Sequence, residues 1–257
     1  MTDGAVRYSE DGAVGRIVFD RPAARNAMTW AMYDELAAIC ARLTAERVRV
    51  VVLRGAGGQA FVAGTDIGGF VDFTSGEDGI AYEAKMDRII GAVEALPMPT
   101  VAAVEGWAVG GGLAIAAACD FRVATPEARF GAPIARTLGN CFSAANYARL
   151  LAALGTARAK RVLLLGEMIG AEEAKAAGFV IEIAEGAAFD AVVATICDRL
   201  AKNAPLTQMA SKEAIRRLTY ANLPDINDLI GEVYGSEDFR RGVRAFLAKT
   251  PPEWTGK

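Results

Sequence analysis

Two stretches of this 257-residue chain place glycines where backbone amides can hold an oxygen. The first is Phe61-Val62-Ala63-Gly64-Thr65-Asp66-Ile67, and the second is Val104-Glu105-Gly106-Trp107-Ala108-Val109-Gly110-Gly111-Gly112-Leu113. Gly111 falls at the start of an apolar helical run, where unpaired N–H groups and the helix end supply partial positive charge. Paired with an N–H near Thr65, it can stabilise a developing oxyanion, and each donor of such a pair is worth roughly 3–4 kcal/mol in catalysis. A glycine triplet before a helix also serves close strand–helix packing, so neither motif decides the matter alone. Gly106, Gly110, Gly111 and Gly112 lack the GxGxxG spacing of a dinucleotide site, and no acidic residue closes a following strand at the usual distance.

The side chains available for chemistry are restricted. The chain has no histidine, which removes the commonest general base, the commonest zinc ligand and any Ser-His-Asp triad. Cys40, Cys119, Cys141 and Cys197 are widely spaced and form no CxxC pair. Cys40, Cys119 and Cys197 sit in apolar settings and read as buried free thiols of a reducing cytoplasm, and no metal site is expected. The carboxylates near the expected mouth of the site are Asp66, Asp72, Glu77 and Asp78, with Asp66 expected to fix its loop by hydrogen bonding. Tyr82, Tyr147 and Tyr234 are candidate acids if the fold turns them inward.

The elements that must position these groups alternate between strand and helix in the first half. Val6–Tyr8 and Gly15–Phe19 flank a turn at Asp11-Gly12 and read as a hairpin. Thr29 is a candidate N-cap for a helix carrying Leu36, Ile39, Cys40 and Leu43 at helical spacing. Val48–Leu53 reads as a buried strand, followed by a loop at 55–58, and a glycine- and acid-rich stretch from Gly68 to Gly79 reads as a flexible loop. A helix over Ile80–Leu96 ends before Pro97-Met98-Pro99. Thr100–Val104 returns as a strand, a Gly-rich turn leads into a helix over Leu113–Cys119, and Asp120–Ala124 is a second short strand. From about Ala144 helical patterns dominate, broken at Gly155, Gly178 and Pro205.

Composition narrows the class further. Hydrophobic residues at 53% against 23% charged allow a sizeable core and argue against disorder. Acidic residues number 31 and basic 28, a net charge of −3 without a basic stripe, so nucleic acid is not an expected partner. No signal peptide is apparent at the start of the chain. The longest apolar run, Val101–Cys119, contains Glu105 and the glycines at 106 and 110–112, which reads as strand, turn and helix rather than a membrane span.

The order of DRPAARNAM (Asp20 to Met28), FVAGTDI, VEGWAVGGG, AAACDFRVA (Ala116 to Ala124) and ARFGAP (Ala128 to Pro133) resembles the crotonase, or enoyl-CoA hydratase/isomerase, superfamily over essentially the whole chain. The resemblance implies an α/β fold, a spiral of repeated ββα units with a C-terminal helical trimerisation region, divided here as core 1–195 and helical region 196–257. It implies a coenzyme A thioester as substrate with no permanently bound cofactor, and a homotrimer or dimer of trimers in the cytoplasm. It places the thioester oxygen on the amides of Thr65 and Gly111. It also puts coenzyme A contacts at Ala24, Arg25, Ala63, Asp66 and Ile67, with Phe246 and Lys249 reaching the nucleotide end from a neighbouring subunit.

The chain departs from that pattern where hydratases of the family carry two catalytic glutamates. Ala114 stands two residues after the glycine triplet, and Ile134 follows the proline of the FGxP motif. The next segment offers Arg136, Thr137, Asn140, Cys141 and Ser143 as pocket polar groups. An arginine there could bind a second substrate carboxylate. A cysteine would need a lowered pKa to act as a nucleophile. Three readings stay open: an enolate-stabilising acyl-CoA enzyme carrying out isomerisation or decarboxylation, a conventional hydratase with substitute acid–base residues, and a non-catalytic acyl-CoA binder or scaffold.

Overall fold

In the computed structural model, which describes residues 4–45 and 47–257, β1 (Ala5–Asp11) and β2 (Val14–Asp20) form the expected antiparallel hairpin. Ile17 and Phe19 point inward from β2 at the period of two that a half-buried strand requires. Helix α1 (Trp30–Arg42) starts at Thr29, whose Oγ1 accepts the Met32 N–H at 3.3 Å, and buries Met32, Tyr33, Leu36 and Ile39.

Three strand–strand–helix turns follow. They are β3 (Val50–Gly55), β4 (Ala60–Val62) and α2 (Gly76–Glu94), then β5 (Thr100–Val104), β6 (Trp107–Val109) and α3 (Gly111–Ala118), then β7 (Phe121–Ala124), β8 (Arg129–Gly131) and α4 (Ile134–Thr137). In each turn the first strand joins a six-stranded sheet, β1-β2-β3-β5-β7-β10 with β10 at Glu182–Ile183, and the second joins a four-stranded sheet, β4-β6-β8-β9 with β9 at Met168–Gly170. Strands β3, β5 and β7 run parallel, as do β4, β6 and β8. The apolar run of β3 reflects burial on both faces. Val51 and Leu53 belong to the main core, while Val50 and Val52 pack with Phe189, Val193 and Cys197 of α7 (Gly186–Lys202).

The rest is mainly helical: α5 (Ala144–Leu164), β9 (Met168–Gly170), α6 (Ala171–Ala176), β10 (Glu182–Ile183), α7 (Gly186–Lys202), α8 (Pro205–Thr219), α9 (Asn227–Gly235) and α10 (Glu237–Ala248). Strands β9 and β10 are too short for a periodic signal, and pairing with the existing sheets creates them. Helix α7 runs through the expected boundary between 195 and 196 and packs on the six-stranded sheet, so the purely helical part begins at α8. No helix is long and apolar enough to cross a membrane among the described residues, and Val101–Cys119 folds as β5, β6 and α3.

The stretch from Gly68 to Gly79 is not the flexible loop its composition implied. It carries a 3-10 helix over Ile67–Asp72, and α2 begins at Gly76, with Ser75 and Asp78 forming a capping box. Its glycines serve close approach. A Cβ on Gly76 would overlap the backbone of Gly231, and one on Gly79 would overlap the ring of Tyr234, both on α9. Helices α9 and α10 thereby fold over the 3-10 segment through Ile67, Phe70, Ile230, Tyr234, Phe239 and Val243.

Asn26 explains the DRPAARNAM motif. Held at a positive φ of 58°, it accepts the Arg21 N–H at 2.9 Å and donates to the carbonyls of Ala56 (2.9 Å) and Ala60 (2.8 Å), fixing the start of β4. Asn26→Ala is expected to cost about 2–4 kcal/mol, because buried groups lose their partners, and denaturant unfolding measures it. A change below about 0.5 kcal/mol, the scatter of a neutral surface substitution, would count against this role.

Candidate active site

Strands β4 and β6 are parallel neighbours, so the chain leaves both at the same edge of the four-stranded sheet. Thr65 follows β4, and Gly111 follows β6 as the first residue of α3. Thr65 lies opposite Met28 in a parallel bridge made by the Met28 N–H to the Gly64 carbonyl (2.9 Å) and the Asp66 N–H to the Met28 carbonyl (2.8 Å). That geometry turns the Thr65 N–H away from Met28. The N–H of Gly111, in the first turn of α3, has no intrahelical acceptor.

Gly111 has no room for a side chain. A Cβ there would overlap the Tyr33 hydroxyl and stand 3.2 Å from Thr65 Oγ1. Thr65 Oγ1 in turn lies 2.8 Å from the Tyr33 hydroxyl and 3.3 Å from that of Tyr82. Gly110 at φ 55° makes the sharp entry into the helix. Asp66 braces the other loop, accepting the Gly68 N–H at 3.1 Å and pairing with Arg21 at 2.7 Å. It does not line the cavity that Thr65 and Gly111 border.

That cavity encloses about 120 Å³, and Ile67, Phe70, Met86, Ile90, Leu138 and Phe142 make its wall largely apolar. Ala63, Ala114, Ile134 and Thr137 also line it, so the positions where the resemblance places glutamates present a methyl and a branched alkyl group. Of the remaining candidates, Asn140 reaches the cavity, and its Oδ1 is buried without a protein partner. Arg136 is exposed and does not line it. Cys141 also lies outside the lining, and burial pushes its thiol up to about 12, which rules out a ready thiolate. Ser143 spends its hydroxyl on Asp87 (2.5 Å) and on the Asn146 N–H (3.2 Å). Tyr147 accepts the Phe142 N–H, again outside the lining. Asp72 and Glu77 are exposed, and Asp78 is held below the usual carboxylate range by the N–H groups of Thr74 and Ser75.

Among the expected coenzyme A contacts, Ala63 and Ile67 border the cavity. Ala24 lies on the 3-10 turn before α1, and Arg25 lines a separate groove of about 560 Å³ with Glu105, Trp107 and Arg129. Phe246 lines the cavity of its own chain, because α10 folds over it, whereas the resemblance has this residue reach in from a neighbour. Lys249 is exposed at the left-handed C-cap of α10. A larger cavity of about 750 Å³ contains neither Thr65 nor Gly111 and holds mixed charges from Glu94, Arg149, Asp120 and Lys212.

One residue of the site escaped the sequence reading. Glu83 on α2 is buried and lines the cavity. Its Oε1 accepts the Tyr234 hydroxyl at 2.7 Å and its Oε2 accepts the Ser143 N–H at 2.9 Å. Asn140 Nδ2 lies 3.3 Å from the same Tyr234 oxygen. Burial raises the Glu83 carboxyl to about 8; the hydrogen bonds from Tyr234 and Ser143 oppose the rise and the charge of Asp87 adds to it. A signal was present: Glu83 falls on the buried stripe of α2 with Gly79, Met86, Ile90 and Val93, where an unpaired carboxylate is out of place.

The enoyl-CoA hydratase/isomerase family model matches residues 9–257. A short-chain-enoyl-CoA hydratase of Clostridium acetobutylicum is 30% identical over 249 residues, covering 95% of each chain. A putative enoyl-CoA hydratase of Thermus thermophilus is 36% identical over 254 residues, covering 95% of this chain and 98% of the relative. A crystal structure described as an enoyl-CoA hydratase/carnithine racemase from Magnetospirillum magneticum superposes with a TM-score of 0.80 at 32% identity, covering 98% of this chain and 96% of the other.

Proposed function

The chain belongs to the enoyl-CoA hydratase/isomerase family, and from that premise we propose that it converts an acyl-CoA thioester through an enolate held between the amides of Thr65 and Gly111. Gly111 carries the reading: a Cβ there would overlap the Tyr33 hydroxyl and crowd Thr65, at the edge of a cavity where Ala114 and Ile134 supply no proton. Two N–H groups aimed at one oxygen stabilise the charge that develops there more than the ground-state carbonyl.

The reaction that fits is movement of a double bond along the acyl chain. Hydration needs one group to activate water and another to protonate Cα, and losing either typically forfeits about 100- to 10,000-fold. Isomerisation needs one base that carries a proton between two carbons. Decarboxylation of a malonyl-type group would bring a second carboxylate beside Glu83, and no lysine or arginine lines the cavity among the described residues. A cavity of about 120 Å³ is slightly smaller than one of roughly 150 Å³ that holds benzene, which favours a short acyl group.

In this reading coenzyme A enters as part of the substrate, with Ala24, Arg25, Ala63, Asp66, Ile67, Phe246 and Lys249 as its contacts. The protein is a homotrimer or dimer of trimers. Leu206, Met209, Ile215 and Leu218 are exposed on α8, and packing copies together would remove apolar surface from water.

The test uses short 3-enoyl, 2-enoyl and malonyl thioesters. A rise in conjugated-thioester absorbance with the 3-enoyl substrate, faster than any loss with the 2-enoyl substrate, is the expected result. Dominant hydration of the 2-enoyl thioester would instead favour a conventional hydratase with substitute residues. Tight binding without turnover on any substrate would leave a non-catalytic acyl-CoA binder.

A further inference from the structure

We propose that Glu83 is the catalytic base of this cavity and that Tyr234, reaching it from α9, is its positioning residue. The inference rests on the enolate reading above, and it adds a proton carrier at a position that neither motif indicates.

Among the described residues, Glu83 is the only aspartate or glutamate lining the cavity, and the chain has no histidine. The other polar side chains of the wall are hydroxyls and amides. Burial raises the hydroxyl of Tyr33 to about 12 and that of Tyr82 well above its usual value, so neither yields a base near neutral pH. Thr65, Thr137, Asn140 and Asn146 are poor bases at any working pH.

Glu83 lines the same cavity as Tyr82, whose hydroxyl lies 3.3 Å from Thr65 Oγ1, and as Thr65 and Gly111 themselves. Tyr234 and the Ser143 N–H each occupy one lone pair, on different oxygens, and each oxygen retains a second. The two donors fix the plane of the carboxylate while leaving it able to take a proton. Among the described residues no cation compensates its charge: the titratable groups around it are Tyr33 of α1, Tyr82 and Asp87 of α2, Cys141 and Tyr147 near the start of α5, and Tyr234 of α9. A purely structural hydrogen-bond acceptor at this place would be served equally by an amide, which carries no desolvation cost of this kind.

The step balances without an added reagent. The Glu83 carboxylate takes a proton from Cα of a 3-enoyl thioester, and the C–H electron pair passes into a dienolate whose oxygen lies between the Thr65 and Gly111 amides. The neutral carboxyl then returns the same proton to Cγ. The double bond moves from C3=C4 to C2=C3, and Glu83 is regenerated as the carboxylate.

The experiment measures three things on the full-length protein: acyl-CoA binding by calorimetry, exchange of the Cα protons of butyryl-CoA in D2O by NMR, and 3-enoyl-CoA isomerisation. Glu83→Gln keeps the shape and the Tyr234 contact. It is expected to retain binding within about threefold while exchange and isomerisation fall by about 100-fold or more. Wild-type exchange should rise with pH and level off near 8, where the carboxyl ionises. Tyr234→Phe removes a hydrogen bond that favours the charged carboxylate, so its inflection should move to higher pH, a shift that a merely structural tyrosine would not produce. Exchange persisting at the wild-type rate in Glu83→Gln overturns the assignment of Glu83 and leaves the enolate reading intact. An inflection in Tyr234→Phe identical to that of the wild type overturns the positioning role. A wild-type protein that binds acyl-CoA but neither exchanges nor isomerises overturns the enolate reading, and this inference with it.

Discussion

Replacing Gly111 by alanine is expected to lower kcat on acyl-CoA thioesters by about 100- to 1,000-fold while leaving the fold intact. The added methyl group is small, and alanine is a better helix former than glycine at this position. Its effect comes from where it lands. A Cβ would overlap the Tyr33 hydroxyl and crowd Thr65 Oγ1, and Tyr33 and Thr65 are themselves in contact at 2.8 Å. Relief of the overlap displaces the Tyr33 ring, which is hydrogen-bonded to Thr65, or the first turn of α3, and either shift disturbs the alignment of the two amides. An oxyanion is sensitive to such shifts because the donors act by being aligned beforehand. Steady-state kinetics on the thioester that the wild type turns over, with circular dichroism to monitor folding, measure the effect. A kcat within about threefold of the wild type would show that Gly111 is not an oxyanion donor.

Stability is expected to fall as pH rises from about 4.5 to about 8, and Glu83→Gln is expected to remove most of that slope. The carboxyl moves from an ordinary 4.5 in the unfolded chain to about 8 in the folded protein, mainly because burial opposes its charge. Across this window the folded protein holds a proton that the unfolded chain has released. Folding therefore takes up a proton, and each step up in pH weakens it. The contribution is fully present below about 4.5, is lost by about 8, and has an upper magnitude of roughly 5 kcal/mol. Asp87, also raised by burial, acts in the same direction and remains in the variant. Urea unfolding at several pH values, comparing wild type with Glu83→Gln, isolates the term. Parallel curves would mean that Glu83 is ionised and solvated like an ordinary surface carboxylate.

Both predictions depend on contacts that differ in how visible they are along the chain. The hairpin, the Thr29 cap, the strand at Thr100–Val104 and the kink at Gly155 are local features, and they could be read from spacing and residue type. That Thr65 and Gly111 border one cavity was equally legible, because each lies in a short motif after a strand and the resemblance supplied their pairing. The segment from Gly68 to Gly79 was misread for a physical reason. Glycine and acid content signals flexibility when no neighbour is known, whereas Gly76 and Gly79 are glycines because α9 lies against them. Strands β9 and β10 had no signal of their own, since two or three residues become a strand only beside an existing sheet edge.

By itself, the sequence determined the family, the alternation of strand and helix, and the two glycine motifs, with Ala114 and Ile134 beside them, on which the proposed oxyanion pair rests. Tertiary structure alone decided which acid faces the cavity. Glu83 and Tyr234 are separated by 151 positions, and nothing local to either marks a partner. Their contact exists because glycines at 76 and 79 admit α9 close to α2, and burial then raises the proton affinity of the carboxylate. Local propensity and motif spacing act over a few residues, whereas desolvation depends on everything packed around a group. The motifs behind the proposed oxyanion pair were therefore readable in advance, and the buried acid proposed as the base was not.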